Sequence, residues 1–257
     1  MFNKFLKFFP GYRQRERISQ YLVDIKLALS EIQMNQRKYE EYTSFLTPFG
    51  QINFYLPYAG TDILQTCIAY AHTFHEFDLL KTVRNLLPPE PVIADIGANI
   101  GNHTVFFSKI CRATKIYSFE PQKEMYEILQ KNVELNHCVE VQLFNFALGN
   151  KKGMLSIHDF DPTNWGGTSF VQDNNGNIPV ETFDSLNIQK VDFMKIDVEG
   201  AEVNVLQGAI ETIKRDKPLI WCETLTRMAL KAIDRVLSPL NYRFIKLDDN
   251  NHLWKPK

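Results

Sequence analysis

A short loop of glycines and polar residues follows an apolar run and begins with an acid, Asp95. Residues 95–104 read DIGANIGNHT. Gly97 permits a tight turn, and Gly101 lets the backbone come close to a ligand. These glycines are four residues apart, whereas a loop that binds a pyrophosphate has the spacing G-x-G-x-x-G. The Asp95 carboxylate would repel a pyrophosphate but would suit a ligand that carries an ammonium and a sulfonium.

A second acid, Glu120, ends the next predicted strand. It stands 23 residues after Gly97, where an acid binds the ribose hydroxyls in nucleotide-binding βαβ units. The glycine loop, the acid that precedes it and the ribose acid together predict a site for a ligand that contains a nucleoside.

A third acidic segment follows a later predicted strand and reads KIDVEGAE over residues 195–202. Asp197 and Glu199 leave the strand at alternate positions, where a carboxylate can take a proton from a reacting group. Glu202 falls in the first turn of the next helix, where negative charge is favourable, so capping and chemistry are both open for it. Glu223 ends the following apolar strand on the same edge, with a structural or a functional role.

Strands and helices alternate along the part of the chain that carries these loops. We predict strands at 92–95, 115–119, 139–146, 191–196, 219–222 and 243–247, and helices at 102–110, 122–136, 201–214 and 226–237. This alternation is typical of an α/β fold with a doubly wound, mostly parallel sheet. Residues 242–254 are predicted to form a terminal hairpin that adds an antiparallel strand. The carboxyl ends of the parallel strands then bring the acidic loops to one edge.

The expected organisation has three segments and one insertion. They are a helical extension at 1–45, a lead-in segment at 46–80 and a main domain at 81–257 with an insertion at 149–180. In the insertion, Trp165 is expected either to stack on a ligand ring or to hold the loop down.

The sequence of the N-terminal extension suggests contacts with a membrane surface or with protein. Residues 1–17 are basic and amphipathic, which favours either a peripheral contact with a membrane surface or packing against protein. Apolar residues at 18–32 form a seam of two heptads, which favours a homo-oligomer over packing on the same chain.

Composition excludes some classes of protein. The chain has 257 residues and a formal net charge of -1, so no nucleic-acid partner is predicted. Its four cysteines form no C-x-x-C pair, which argues against a zinc ribbon and favours reduced thiols in the cytoplasm. No apolar stretch reaches the roughly 18–20 residues that a membrane helix needs. We therefore expect a cytoplasmic protein, at the inner face of the membrane if its start binds lipid.

Four strings resemble the FkbM family of S-adenosylmethionine-dependent methyltransferases. They are DIGANIGNHT at 95–104, FEP at 119–121, NFALG at 145–149 and KIDVEGAE at 195–202. The similarity spans roughly residues 75–225, and the string DVEGAE at 197–202 is its most specific part. The resemblance implies a class I methyltransferase fold, which is Rossmann-like, with S-adenosylmethionine as the cofactor. It also implies O-methylation, often of sugar hydroxyls on glycans or natural products.

The resemblance also implies positions for the cofactor. The cofactor-binding residues carried over by position are Asp95, Gly97, Ala98, Asn99, Gly101, Asn102, Glu120, Asn145 and Ala147. Glu120 would bind the ribose, and Asn145 and Ala147 would flank the adenine.

Methyl transfer to a hydroxyl requires a base, because an aliphatic hydroxyl is nearly as weak an acid as water. We predict Asp197 for this role, with Glu199 and His103 as further candidates, although His103 could equally pack against or cap its helix. No metal is predicted, because the acids show no recognised ligand pattern. The alternative is that Asp197, Glu199 and Glu223 together hold a divalent cation.

The predicted acceptor is a small molecule or a glycan, and its identity is left open. Three other functions are weighed against this one. A nicotinamide-dependent oxidoreductase is disfavoured by the glycine spacing and by Asp95. A nucleic-acid methyltransferase is disfavoured by the lack of a basic patch beyond the N-terminus. A non-catalytic binding module in a glycan-assembly complex is disfavoured by the intact glycine loop.

Overall fold

The computed structural model describes residues 38–224 and 226–257. The predictions for residues 1–37, including the membrane contact and the oligomer seam, lie outside the described residues.

Strands and helices alternate through the described part of the chain. Its strands are β1 Tyr42–Thr47, β2 Gly50–Tyr55, β3 Val92–Ile96, β4 Lys115–Phe119, β5 Val141–Phe144, β6 Ala147–Leu148, β7 Gly153–Asp159, β8 Ser169–Gln172, β9 Ile178–Glu181, β10 Phe193–Ile196, β11 Leu219–Glu223, β12 Tyr242–Lys246 and β13 Asn251–Pro256. Its α-helices are α1 Ile63–Ala71, α2 Phe77–Arg84, α3 Asn102–Lys109, α4 Lys123–Leu135, α5 Glu202–Gln207, α6 Ile210–Asp216 and α7 Arg227–Leu237.

The main sheet has seven strands in the order β12-β13-β11-β10-β3-β4-β5. The five strands from β11 to β5 run parallel, and β13 pairs antiparallel with both β11 and β12. From β3 the chain moves outward through β4 and β5, and it then returns to the other side of β3 to form β10. The predicted doubly wound, mostly parallel sheet is thereby confirmed, and its order reverses between β3 and β10, where such sheets bind ligands.

The two central strands are buried on both faces, which explains their nearly continuous apolar sequence. Asp95 and Lys195 interrupt this pattern, and they stand directly opposite each other in the register of β3 and β10. A buried acid and a buried base therefore meet in the middle of the sheet, next to the point where its order reverses.

Three predicted elements differ from the observed ones. The helix predicted at 201–214 is divided into α5 and α6 at Gly208, where the backbone of Gly149 lies so close that a side chain would meet its carbonyl oxygen at 1.9 Å. The strand predicted at 139–146 ends at Phe144. The helical extension predicted at 1–45 is wrong at its end, because β1 pairs with β2 there and the rings of Tyr42 and Tyr55 are in contact.

The insertion and the lead-in segment belong to the same compact unit as the main sheet, and this unit extends from Glu40 to Lys257. The insertion supplies β7, β8 and β9, which form a second sheet with β6 in the order β6-β9-β7-β8. The lead-in hairpin is held by two buried side-chain amides. Asn132 of α4 accepts the backbone N–H of Tyr55 at 2.6 Å, and Asn136, which directly follows α4, accepts that of Asn53 at 2.9 Å.

Among the described residues, no helix combines the length and the apolar character that crossing a membrane requires.

Candidate active site

A cavity of about 460 Å³ opens at the carboxyl ends of β3 and β10. Its size falls in the usual range for a small-molecule site. Four segments contribute to its wall: the glycine loop after β3, the end of β4, the stretch from Phe146 to Lys151, and the acidic loop after β10. The sheet topology therefore brings the three predicted motifs to one cavity.

A buried lysine ties the glycine loop to the acidic loop. The Lys195 ammonium donates a 2.9 Å hydrogen bond to the Gly97 carbonyl oxygen, and it lies 3.1 Å from an Asp197 oxygen and 3.7 Å from an Asp95 oxygen. Burial alone would lower the pKa of Lys195, but the negative charges of Asp197 and Asp95 outweigh burial and raise it. Lys195 is thus a fixed cation, and its place in the string KIDVEGAE did not predict this role.

Asp95 lies beneath the loop and has no exposed surface. Its carboxylate accepts a 2.6 Å hydrogen bond from the Thr104 hydroxyl and faces Lys195. It is absent from the cavity wall, so the predicted contact of Asp95 with the cofactor is replaced by support of the loop from below.

Glycines allow close packing of backbones at this site. Gly97 has φ +79°, and a side chain there would meet the Asp197 carbonyl oxygen at 1.8 Å. Gly101 has φ +89°, and a side chain there would meet Leu129 of α4 at 2.7 Å. Gly97 lines the cavity with Ala98, whereas Gly101 does not, so the close approach predicted for Gly101 is to α4.

Glu120 is almost fully buried and lines the cavity, as a ribose-binding acid would. Its two oxygens accept backbone N–H groups from Asn99 and from Gln122, each at 2.8 Å. Burial raises the pKa of Glu120 to about 7. The neighbouring Asn99 side-chain oxygen is buried in the wall and has no hydrogen-bond partner among the described residues, so a polar ligand would satisfy it.

The two residues that were predicted to flank the adenine differ in their positions relative to the cavity. Ala147 lines the cavity, but Asn145 does not. The Asn145 amide instead donates to the carbonyl oxygen of Glu120 at 2.9 Å, which holds the turn after β4. Asn145 thus holds this turn, and its role beside the adenine stays a prediction.

Asn102 and His103 connect the glycine loop to the lead-in segment. The Asn102 side chain accepts the His75 backbone N–H at 3.0 Å and donates to its carbonyl oxygen at 3.2 Å. The His103 ring is buried, lies edge-on to Trp221, and places Nε2 at 3.3 Å from a Glu76 carboxylate oxygen. Burial would raise the pKa of Glu76, but the nearby His103 ring outweighs burial and lowers it to about 2. His75 and Glu76 both line the cavity, and no motif in the sequence indicated them.

Three acids meet at the end of the cavity beside Trp221. One oxygen each from Asp197, Glu199 and Glu223 lies within 4.8 Å of the others. Burial and the negative charge of Asp197 raise the pKa of Glu199 to about 7 and that of Glu223 to about 8. Carboxyl groups this close favour retaining a proton among them. The prediction that no metal binds here stays a prediction.

Glu202, whose role was open, accepts the backbone N–H groups of Gly200 at 3.0 Å and of Val198 at 3.3 Å. It is absent from the cavity wall, and the structure therefore gives it the capping role.

Residues 160–168 of the insertion cover the cavity, and we call this segment the roof. Asn164, Gly166 and Thr168 face the cavity. The ring of Trp165 is absent from the wall and stacks on Tyr58 at a centroid distance of 5.2 Å. Trp165 therefore holds the loop down, which was one of its two expected roles.

Two side chains hold the roof through the Trp165 backbone. The N–H of Trp165 donates to Asp62 at 3.1 Å, and its carbonyl oxygen accepts from the Gln122 amide at 3.1 Å. Since Gln122 also donates its own N–H to Glu120, the roof is connected to the predicted ribose acid.

Comparison with known proteins shows to which family this chain is related. Residues 95–244 match the family model described as the methyltransferase FkbM domain. The 2-O-methyltransferase NoeI of Sinorhizobium fredii is 26% identical over 159 residues, which cover 53% of this chain and 65% of NoeI. The hexuronic acid methyltransferase AglP of Haloferax volcanii is 25% identical over 145 residues, which cover 54% of this chain and 58% of AglP. The chain thus spans less than two thirds of the length of these relatives.

A solved structure of an FkbM methyltransferase from Methylobacillus flagellatus has the same fold. It is 20% identical to this chain and superposes with a TM-score of 0.51, over 74% of this chain and 51% of that one.

Proposed function

Because this chain belongs to the FkbM methyltransferase family, we propose that it binds S-adenosylmethionine in the cavity and methylates a hydroxyl oxygen. We further propose that the hydroxyl belongs to a sugar, in a glycan such as a surface polysaccharide or in a glycosylated metabolite. The reaction would take place in the cytoplasm, at the inner face of a membrane if residues 1–17 make the contact expected from the sequence.

The observation that carries the cofactor proposal is the position of Glu120. Each buried oxygen of Glu120 accepts one backbone N–H and can accept a further donor, and the ribose hydroxyls are such donors. The unpartnered oxygen of Asn99 lies in the same wall and offers a further acceptor. When bound, S-adenosylmethionine would supply an electrophilic methyl group on a positively charged sulfur. Gly97, Ala98, Asn99 and Ala147 would form its contact surface, together with Glu120.

The acids beside Trp221 support hydroxyl chemistry. Asp197 is our first candidate for the base, because its carboxylate is on the wall and is oriented by Lys195 at 3.1 Å. Glu199 lines the same wall, and its pKa of about 7 suits proton transfer near neutral pH. His103 is the third candidate and is oriented by Glu76. These groups would orient the acceptor and accept its proton while the cavity excludes water.

A sugar acceptor is supported by two arguments. Carboxylates are acceptors only, so a wall that carries Glu76, Asp197 and Glu199 is suited to a ligand rich in hydroxyl donors. In addition, the relatives NoeI and AglP are named as a 2-O-methyltransferase and a hexuronic acid methyltransferase. The oxidoreductase and the non-catalytic module receive no comparable support.

The test is isothermal titration with S-adenosylmethionine, S-adenosylhomocysteine and NADH. We expect both adenosyl ligands to bind and NADH to bind much more weakly. Replacing Glu120 with Ala or Gln removes charged hydrogen bonds to the ribose and should weaken binding by about 10- to 100-fold. Glu124→Gln, an exposed change in α4, is the matched control and should bind as the unaltered protein does. Preference for NADH, or no binding of either adenosyl ligand, would contradict the proposal.

A further inference from the structure

Two acids from neighbouring parallel strands meet in the wall of the cavity. Glu223 is the last residue of β11, and Asp197 follows β10 directly. The last paired positions of these strands are Ile196 and Cys222, so the next residue on each strand is Asp197 or Glu223. One carboxylate oxygen of each lies within 4.8 Å of the other. Because like charges this close disfavour ionisation of both carboxyl groups, one of the two retains a proton.

The surrounding charges place this proton on Glu223. Asp197 has a cationic neighbour, the Lys195 ammonium, at 3.1 Å. The charged neighbours that face Glu223 are negative, namely Asp197 and Glu199 from the acidic loop and Glu76 at the start of α2. Burial and these charges raise the pKa of Glu223 to about 8.

The remaining titratable groups nearby have other partners. His103 faces Glu76. On the adjacent strand β13, His252 Nδ1 lies 2.8 Å from the hydroxyl of Thr224. Neither histidine therefore supplies the positive charge that would ionise Glu223 in the resting protein.

We propose that Glu223 is a further catalytic residue, whose proton is expelled when a positively charged ligand enters the cavity and is replaced by the proton of the acceptor hydroxyl. This inference rests on the proposed function, because the cofactor of a methyl transfer brings a positive sulfur into a cavity that Glu223 lines. The role of base, for which Asp197 was the first candidate, thereby passes to Glu223, and Asp197 becomes the positioning partner that stays paired with Lys195.

The proposed step balances in atoms and charge. Before transfer, Glu223 is a carboxylate and the sulfur carries one positive charge. The O–H bond of the acceptor breaks and its proton goes to the Glu223 carboxylate, while the acceptor oxygen forms a bond to the methyl carbon. The electron pair of the broken carbon–sulfur bond stays on sulfur. Both groups are neutral afterwards, and Glu223 again carries a proton.

The test counts protons and needs no acceptor. S-adenosylmethionine and S-adenosylhomocysteine differ by the methyl group and its positive charge, so each is titrated near pH 7.5 in two buffers of different ionisation enthalpy. We expect the charged ligand to release about half a proton or more beyond the neutral one, since Glu223 is mostly protonated at this pH. Glu223→Gln should abolish this difference while both ligands still bind. Glu124→Gln, an exposed substitution, should preserve it.

The outcomes separate the two proposals. If neither ligand binds, the proposed function fails. If both bind and release equal numbers of protons, only the role of Glu223 fails. Mg²⁺ that displaces a proton from the unaltered protein, but not from Glu223→Gln, would also overturn this role, because a cation would then occupy the place of the proton. If Glu223→Gln does not fold, the infrared band of a protonated carboxyl in the unaltered protein decides. This band should disappear on addition of S-adenosylmethionine and persist with S-adenosylhomocysteine, and its persistence with both would refute the inference.

Discussion

The Lys195 ammonium donates a 2.9 Å hydrogen bond to the carbonyl oxygen of Gly97. This contact connects the two loops at the point where the order of the sheet reverses. The same ammonium faces Asp95 from the neighbouring strand and Asp197 from its own loop. One buried cation therefore fixes the glycine loop, its supporting acid and our first candidate base relative to one another.

Lys195→Met should destabilise the protein strongly. It leaves Asp95 buried without its cation, and breaking a buried ion pair in this way costs about 3–5 kcal/mol. Urea unfolding measures this loss of free energy of unfolding. Adding Asp95→Asn should recover part of it, whereas the exposed control Lys131→Met should change stability by less than about 0.5 kcal/mol. A loss for Lys195→Met as small as that of the control would show that the pair is not formed.

The ligand-free protein should lose stability as the pH rises from about 5 to about 8. The pKa of Glu120 is raised from 4.5 to about 7 in the folded protein. Its stabilising contribution is therefore complete below the unfolded value and is lost as the pH rises through about 7. For a buried group this amounts to at most about 3 kcal/mol. Unfolding in urea across this pH range should show a flatter dependence for Glu120→Gln, and an unchanged slope would contradict the assignment.

Alanine at two glycines separates backbone strain from steric clash. Gly97 and Gly200 both have positive φ, at +79° and +97°. A side chain at Gly97 would meet Asp197 backbone at 1.8 Å, while one at Gly200 would meet nothing within 4 Å. We expect Gly200→Ala to cost about 1 kcal/mol and Gly97→Ala about 3 kcal/mol or more, with loss of adenosyl-ligand binding. If the two loops were not packed together, Gly97→Ala and Gly200→Ala would lose the same stability in thermal unfolding and the same ligand affinity in titration.

Asp62 should prove to hold the roof as well as capping α1. Its carboxylate accepts the N–H of Gln65 at 2.9 Å and that of Trp165 at 3.1 Å. Asp62→Ala should therefore cost more than the roughly 1 kcal/mol of a helix cap, and it should speed hydrogen exchange of the Trp165 amide. Thr226→Ala removes a comparable cap from α7 and should leave that amide unchanged. Faster exchange in both variants would show general loosening instead.

Much of the fold could be predicted because its signals are local. Apolar runs such as 92–95 and 191–196 are set by burial on both faces of the sheet, and their alternation with helices already implies a parallel order. Where a boundary depended on a distant contact, prediction failed. The long helix predicted at 201–214 is interrupted at Gly208, beside which the distant backbone of Gly149 passes. Residues 42–47 form a strand because β2 pairs with them.

By itself, the sequence determined the family, the sheet and the loops that meet at its carboxyl edge, because motif spacing and periodicity are properties of neighbouring residues. Only the tertiary structure decided which side chains face the cavity. It turned Asn145 away from the wall and placed Asp95 beneath it, and it brought Glu76 in from a segment without a motif. It also brought a Glu223 oxygen within 4.8 Å of an Asp197 oxygen. Such pairings arise from contacts between strands and loops that are far apart in the chain, and side-chain orientation at a strand end follows from packing that no local pattern encodes.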